Sequence, residues 1–85
     1  MKEIEKFRQE IDRIDDKMMD LFVERMELVH AIGIHKKQLG MTVSDPKREK
    51  EVLDRLKARL QDVKLWPYYK RFVTHIFLLS KEHQK

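Results

Sequence analysis

Arg25 and Lys36 stand on the apolar side of a helical pattern, where a charged side chain needs an anion. A guanidinium keeps its proton, so burying one without a negative partner is costly. The two residues are eleven positions apart. On a helix that spacing returns to within about 20° of the same direction and rises about 16 Å. Two long side chains can lean across such a gap and meet on one small anionic molecule. Further polar residues break the apolar pattern or crowd its edge: Arg8, Glu49, Ser80 and Gln84, with Asp45 and Arg48 beside Glu49. Each alone has an ordinary reading. Arg25 could be a structural ion pair or a snorkelling side chain. Lys36 could be a last-turn lysine, and Glu49 a first-turn carboxylate favoured by the helix dipole. Ser80 and Gln84 could belong to a polar helix end, yet at i and i+4 they present two neutral hydrogen-bonding groups on one face. Together the set predicts an anion inside a helical bundle, either a carboxylate side chain or a ligand.

The elements that must hold these residues are three helices. From Ile4 to Leu39, positions 4, 7, 11, 14, 18, 21, 25, 28, 32, 35 and 39 alternate three- and four-residue steps, and all but Arg25 and His35 are apolar. That is one long amphipathic helix, from about Lys2 to Leu39. Gly40 ends it as the residue after the cap, with Lys36 and Lys37 in the last turn where cations suit the dipole. Gly33 lies inside this helix at a cost of about 1 kcal/mol relative to alanine. The expected reason is the close approach of a neighbouring backbone or a ligand. Ser44-Asp45-Pro46 reads as the start of a second helix, a capping side chain followed by proline. That helix carries Val52, Leu53, Leu56 and Leu60, with Glu49 on the face of Leu53, Leu56 and Leu60. Gln61 to Trp66 reads as a loop. Pro67 opens a third helix with two apolar faces, Phe72-Ile76-Leu79 and Val73-Phe77, the second running on into Ser80 and Gln84. The fold class is all-α, residues 1–85 forming a single domain.

The first helix is too long for a domain of this size. It should span about 54 Å, whereas a compact chain of 85 residues is roughly 30 Å across. Much of the apolar stripe would then meet water, and a partner chain is the simple remedy. A homodimer is expected. Arg8 lies seventeen residues before Arg25, about 25 Å away, so it cannot reach the same small ligand from the same chain. An antiparallel partner with its dyad near Met19 would bring the other chain's Arg8 to the level between Arg25 and Lys36.

Composition narrows the classes. No apolar run approaches the ~18 residues needed to cross a bilayer, and MKEIEKFRQE lacks the apolar segment of a signal peptide. No membrane association and a cytoplasmic location are the expectations. There is no cysteine, and His30 and His35 are five apart instead of the four that stacks ligands, so no metal site is expected. The net charge of +4 suits either nucleic acid or the steering of a small anion. Acids interleave the basic residues (KREKEVLDRLKAR), which favours a solvated helix surface over a phosphate-tracking stripe.

The run Arg8-x-x-Ile11-Asp12-x-Ile14-Asp15, then Leu21-x-x-x-Arg25, then Lys36, then Asp45-Pro46-x-Arg48-Glu49, closed by Ser80-x-x-x-Gln84, resembles the all-helical chorismate mutases over essentially the whole chain. Gly33 also falls where members carry glycine. The resemblance implies an intertwined, domain-exchanged homodimer with two equivalent active sites that converts chorismate to prephenate without a cofactor, in aromatic amino-acid biosynthesis. It implies a site lined by Arg25, Lys36, Asp45, Arg48, Glu49, Ser80 and Gln84 of one chain and by Arg8 of the other. The arginines, with Ser80, would hold the two carboxylates, Lys36 and Gln84 would hydrogen-bond the ether oxygen, and Glu49 with the backbone near Asp45 would fix the ring hydroxyl. Rival readings are a lyase of the same fold that releases pyruvate from isochorismate, a helical dimer that binds nucleic acid through its basic surface, and a purely structural coiled coil in which Arg25 sets register. Glu49 and the Ser80/Gln84 pair lean towards the mutase. The nucleic-acid reading does not explain inward-facing Arg25 and Lys36, and the coiled coil does not account for Asp45-Pro46-x-Arg48-Glu49.

Overall fold

The repeating three- and four-residue steps wind residues Lys2–Gln38 into one helix, α1, in a computed structural model that describes all 85 residues. Glu3 and Glu5 in the first turn and His35, Lys36 and Lys37 in the last complement the dipole. The end is fixed by backbone chemistry. Gly40 takes a φ of +68°, a left-handed conformation that glycine adopts without steric cost. The Gly40 N–H then donates to the Lys37 carbonyl at 3.3 Å and the Met41 N–H to the Lys36 carbonyl at 2.8 Å, the paired bonds of a Schellman stop. Leu39 is the cap, not the last helical residue.

The turn leads to α2, Pro46–Arg59, where Asp45 is the N-cap: its carboxylate accepts from the Arg48 N–H at 3.1 Å. The link to α3 is more ordered than the sequence suggested. Asp62 caps a single 3-10 turn, Val63–Leu65, by accepting from the Lys64 N–H at 3.0 Å. This turn feeds straight into α3, Trp66–Gln84, so α3 begins one residue before Pro67.

Of the two faces of α3, Val73-Phe77-Ser80 is buried against α1, while Phe72 and Leu79 on the other face remain open. On α1 the buried residues are Val29 and Gly33, flanked by half-buried Arg25, Met26 and Lys36. The core of the single chain therefore uses a strip beside the long apolar stripe. α2 packs lightly on α3, and a cleft separates it from α1.

Every residue of α1 up to Glu24 is exposed, and Ile4, Phe7, Ile11, Ile14, Met18 and Leu21 retain 39–64% of their accessible surface. The molecule measures 56 × 26 × 16 Å with a radius of gyration of 16.3 Å, against about 12 Å for a compact chain of its length. The two shorter helices leave the N-terminal half of α1 bare. No helix is long and apolar enough to cross a membrane.

Candidate active site

The cleft between α1, α2 and the end of α3 has a volume of about 430 Å3, a size that accepts a small molecule. Val29, Ile32, Val43, Val52 and Phe77 form its apolar walls. Arg25, Lys36, Asp45, Arg48, Glu49, Ser80 and Gln84 all line it, so seven of the eight residues singled out from the sequence converge there. Arg8 does not. It sits on the bare half of α1, outside the cleft.

Arg25 and Lys36 enter the cleft from one side of α1, as their spacing requires, and neither meets a carboxylate. The Arg25 guanidinium donates to Ser80 Oγ at 2.5 Å, and that hydroxyl in turn donates to the Ile76 carbonyl at 2.7 Å. Ser80 is thus a neutral acceptor with its one proton committed. Lys36 Nζ donates to Gln84 Oε1 at 2.8 Å and to the Val43 carbonyl at 2.9 Å. Val43 lies in the connection folded back by the Gly40 turn, so the stop of α1 also builds a ligand for Lys36. Both cations are oriented by neutral oxygen atoms, which hold direction without cancelling charge.

The approach of α3 depends on Gly33. A Cβ there would stand 2.7 Å from the Gln84 carbonyl oxygen and 2.9 Å from its Cα, both backbone atoms. The interior glycine of α1 therefore lets the last turn of α3 come close enough for Gln84 to meet Lys36.

The second helix supplies both signs of charge. Asp45 is held by its capping bond at the cleft edge. Arg48 lies at the rim, 65% exposed and 4.0 Å from the equally loose Glu51, a contact worth little. Glu49 is half-buried and pairs with Lys81 at 3.4 Å. Sequence reasoning missed Lys81, because a lysine in the last turn of a helix is ordinary; only the placement of α2 shows that it faces the cleft. Three of the final five residues of α3 each serve a different charged group: Ser80 fixes Arg25, Lys81 fixes Glu49 and Gln84 fixes Lys36. Arg25, Lys36, Arg48 and Lys81 face only Asp45 and Glu49, which leaves a surplus of two positive charges in the cleft.

Such a set makes an all-helical cleft with an excess of two positive charges. The chain belongs to the chorismate mutase type II family, which it matches over residues 7–85. It is 37% identical over 57 residues to the chorismate mutase of Methanocaldococcus jannaschii, an alignment covering 67% of this chain and 58% of that protein. It is 30% identical over 77 residues to the bifunctional chorismate mutase/prephenate dehydratase of Aquifex aeolicus, covering 91% of the chain and 21% of that protein. It is 39% identical over 49 residues to the T-protein of Haemophilus influenzae, covering 58% of the chain and 13% of that protein. The chain thus spans between 13% and 58% of the lengths of these curated relatives. No solved structure matches it.

Proposed function

We propose that the chain rearranges chorismate to prephenate in a homodimer whose two sites each take Arg8 from the opposite chain. One observation carries the reading: Arg25 and Lys36 converge on a cleft, each bonded only to neutral groups, within an excess of two positive charges. A dicarboxylate substrate supplies the missing charge. Family membership supports the reaction over the lyase and over a non-catalytic binding module.

The rearrangement is internal to one molecule: an ether C–O bond breaks as a C–C bond forms, and no proton changes hands. The protein's tasks are to hold the substrate folded and to meet charge as it develops. Arg25, Arg48 and the partner's Arg8 would grip the two carboxylates so that the reacting ends approach, a positioning gain. Glu49, beside the backbone at Asp45, would accept from the ring hydroxyl. Negative charge grows on the ether oxygen as its bond to carbon lengthens. Lys36 Nζ would meet it there, and so would the Gln84 amide NH2, the group left free once Oε1 has accepted from Lys36. Donors aimed at that oxygen bind the transition state more tightly than the ground state.

The dimer rests on area. The chain exposes 7742 Å2, whereas a compact protein of its mass exposes about 5,400 Å2. The excess is on the scale that obligate dimers remove, and it includes the stripe from Ile4 to Leu21. A cytoplasmic location and a single domain over residues 1–85 belong to the same reading.

The deciding experiment follows the loss of chorismate absorbance with purified protein, with isochorismate in a parallel cuvette. Turnover of chorismate to prephenate is expected. Pyruvate release from isochorismate alone, or no reaction with either, would overturn the reading.

A further inference from the structure

We propose that Lys81 is a positioning residue for Glu49, and that it sets the place of the α2 wall on which substrate orientation depends; the inference rests on the function proposed above. α2 carries Asp45, Arg48 and Glu49, yet no side chain on it is fully buried, and it packs only lightly on α3. Apolar contact therefore fixes this wall weakly. The salt bridge from Lys81 Nζ to Glu49 Oε2 at 3.4 Å is the one ion pair that joins two helices; the other two lie within α2. It is also the only one of the three whose two ends both line the cleft.

The pair has a second effect. Glu49 stands in a site built to attract a dianion, and an unaccompanied carboxylate there would repel the guest. Lys81 offsets that charge without donating to the opposite carboxylate oxygen, so Glu49 keeps acceptor capacity for a hydroxyl. At 34% and 29% side-chain exposure the pair contributes little to global stability. Its loss should therefore register in geometry at the site more than in melting temperature. Misplacement of a reacting partner by about 1 Å can cost up to about a hundredfold in rate.

The test is a double-mutant cycle on the full chain, with chorismate as substrate: Lys81→Met, Glu49→Gln and both together, with Lys81→Arg as the conservative variant. Lys81→Met should lower kcat/KM by about ten- to a hundredfold, leave the circular dichroism spectrum and Tm nearly unchanged, and be largely rescued by Lys81→Arg. In the Glu49→Gln background Lys81→Met should have little further effect, since a residue that acts through Glu49 has nothing left to position. Additive losses would show that Lys81 acts on the substrate directly, and an unimpaired Lys81→Met enzyme would show that it does nothing; either overturns the proposal while leaving the mutase reading intact. If the unaltered chain fails to turn over chorismate, the function and this inference fall together.

Discussion

Lys36 Nζ and Gln84 Oε1 lie 2.8 Å apart across 48 residues of sequence, and the same ammonium reaches the Val43 carbonyl at 2.9 Å. Three segments of the chain thus meet on one cation without neutralising it.

On the proposed function, Lys36→Ala removes the charge that would meet the ether oxygen. By comparison with single oxyanion donors the loss is about 3 kcal/mol or more, about a hundredfold or greater in kcat. The helical circular dichroism signal should persist, because Lys36 is only partly buried. A kcat within a few-fold of wild type would refute its role.

Gly33→Ala sets two effects against each other. Alanine gains about 1 kcal/mol of helix propensity, but its Cβ collides with the Gln84 backbone, which then withdraws. Unfolding curves should shift little in either direction while turnover falls at least about tenfold, because the Lys36–Gln84 contact opens. Full activity in this variant would mean that α3 need not approach so closely.

Gly40→Ala places a side chain at a φ of +68°, at a cost of about 1–2 kcal/mol. Tm should fall by several degrees. Kinetics measured well below Tm should change less, since a Cβ at Gly40 meets nothing within 4 Å. An unchanged Tm would contradict the left-handed stop.

Arg8→Ala and Lys36→Ala chains should each be inactive alone. Mixed and allowed to exchange, they should form heterodimers with one intact site, restoring about a quarter of the wild-type sites on random pairing. If mass spectrometry confirms exchange and no turnover returns, Arg8 does not complete the partner's site.

The periodicity from Ile4 to Leu39 made α1 legible, since only a helix places eleven such positions on one side. Gly33 and Gly40 were legible for opposite reasons: one costs helix stability and needs a contact, the other ends a helix and needs a left-handed turn. Of the strip that packs on α3, Gly33 alone gave a sign in the sequence; its neighbour Val29 did not. α1 carries apolar residues on more than one side, and periodicity alone cannot tell which side the chain's own helices cover. Arg25, Glu49, Ser80 and Gln84 stood out because they interrupt or share apolar faces, and Lys36 because it crowds the edge of one. Lys81 interrupts nothing in the sequence, so its pairing with Glu49 depended on where the Gly40 turn sends α2. The start of α3 at Trp66 escaped notice because Asp62 builds the preceding turn with a single side-chain bond.

Ser80, Lys81 and Gln84 ride on one stiff rod, so they cannot be adjusted one at a time. Sliding α3 by a single residue would turn it by about 100° and disengage Arg25, Glu49 and Lys36 in the same movement. The site has in effect a single mechanical setting, and a substitution anywhere along α3 that alters its seat on Val29 and Gly33 will be felt as a simultaneous fault at all three charges.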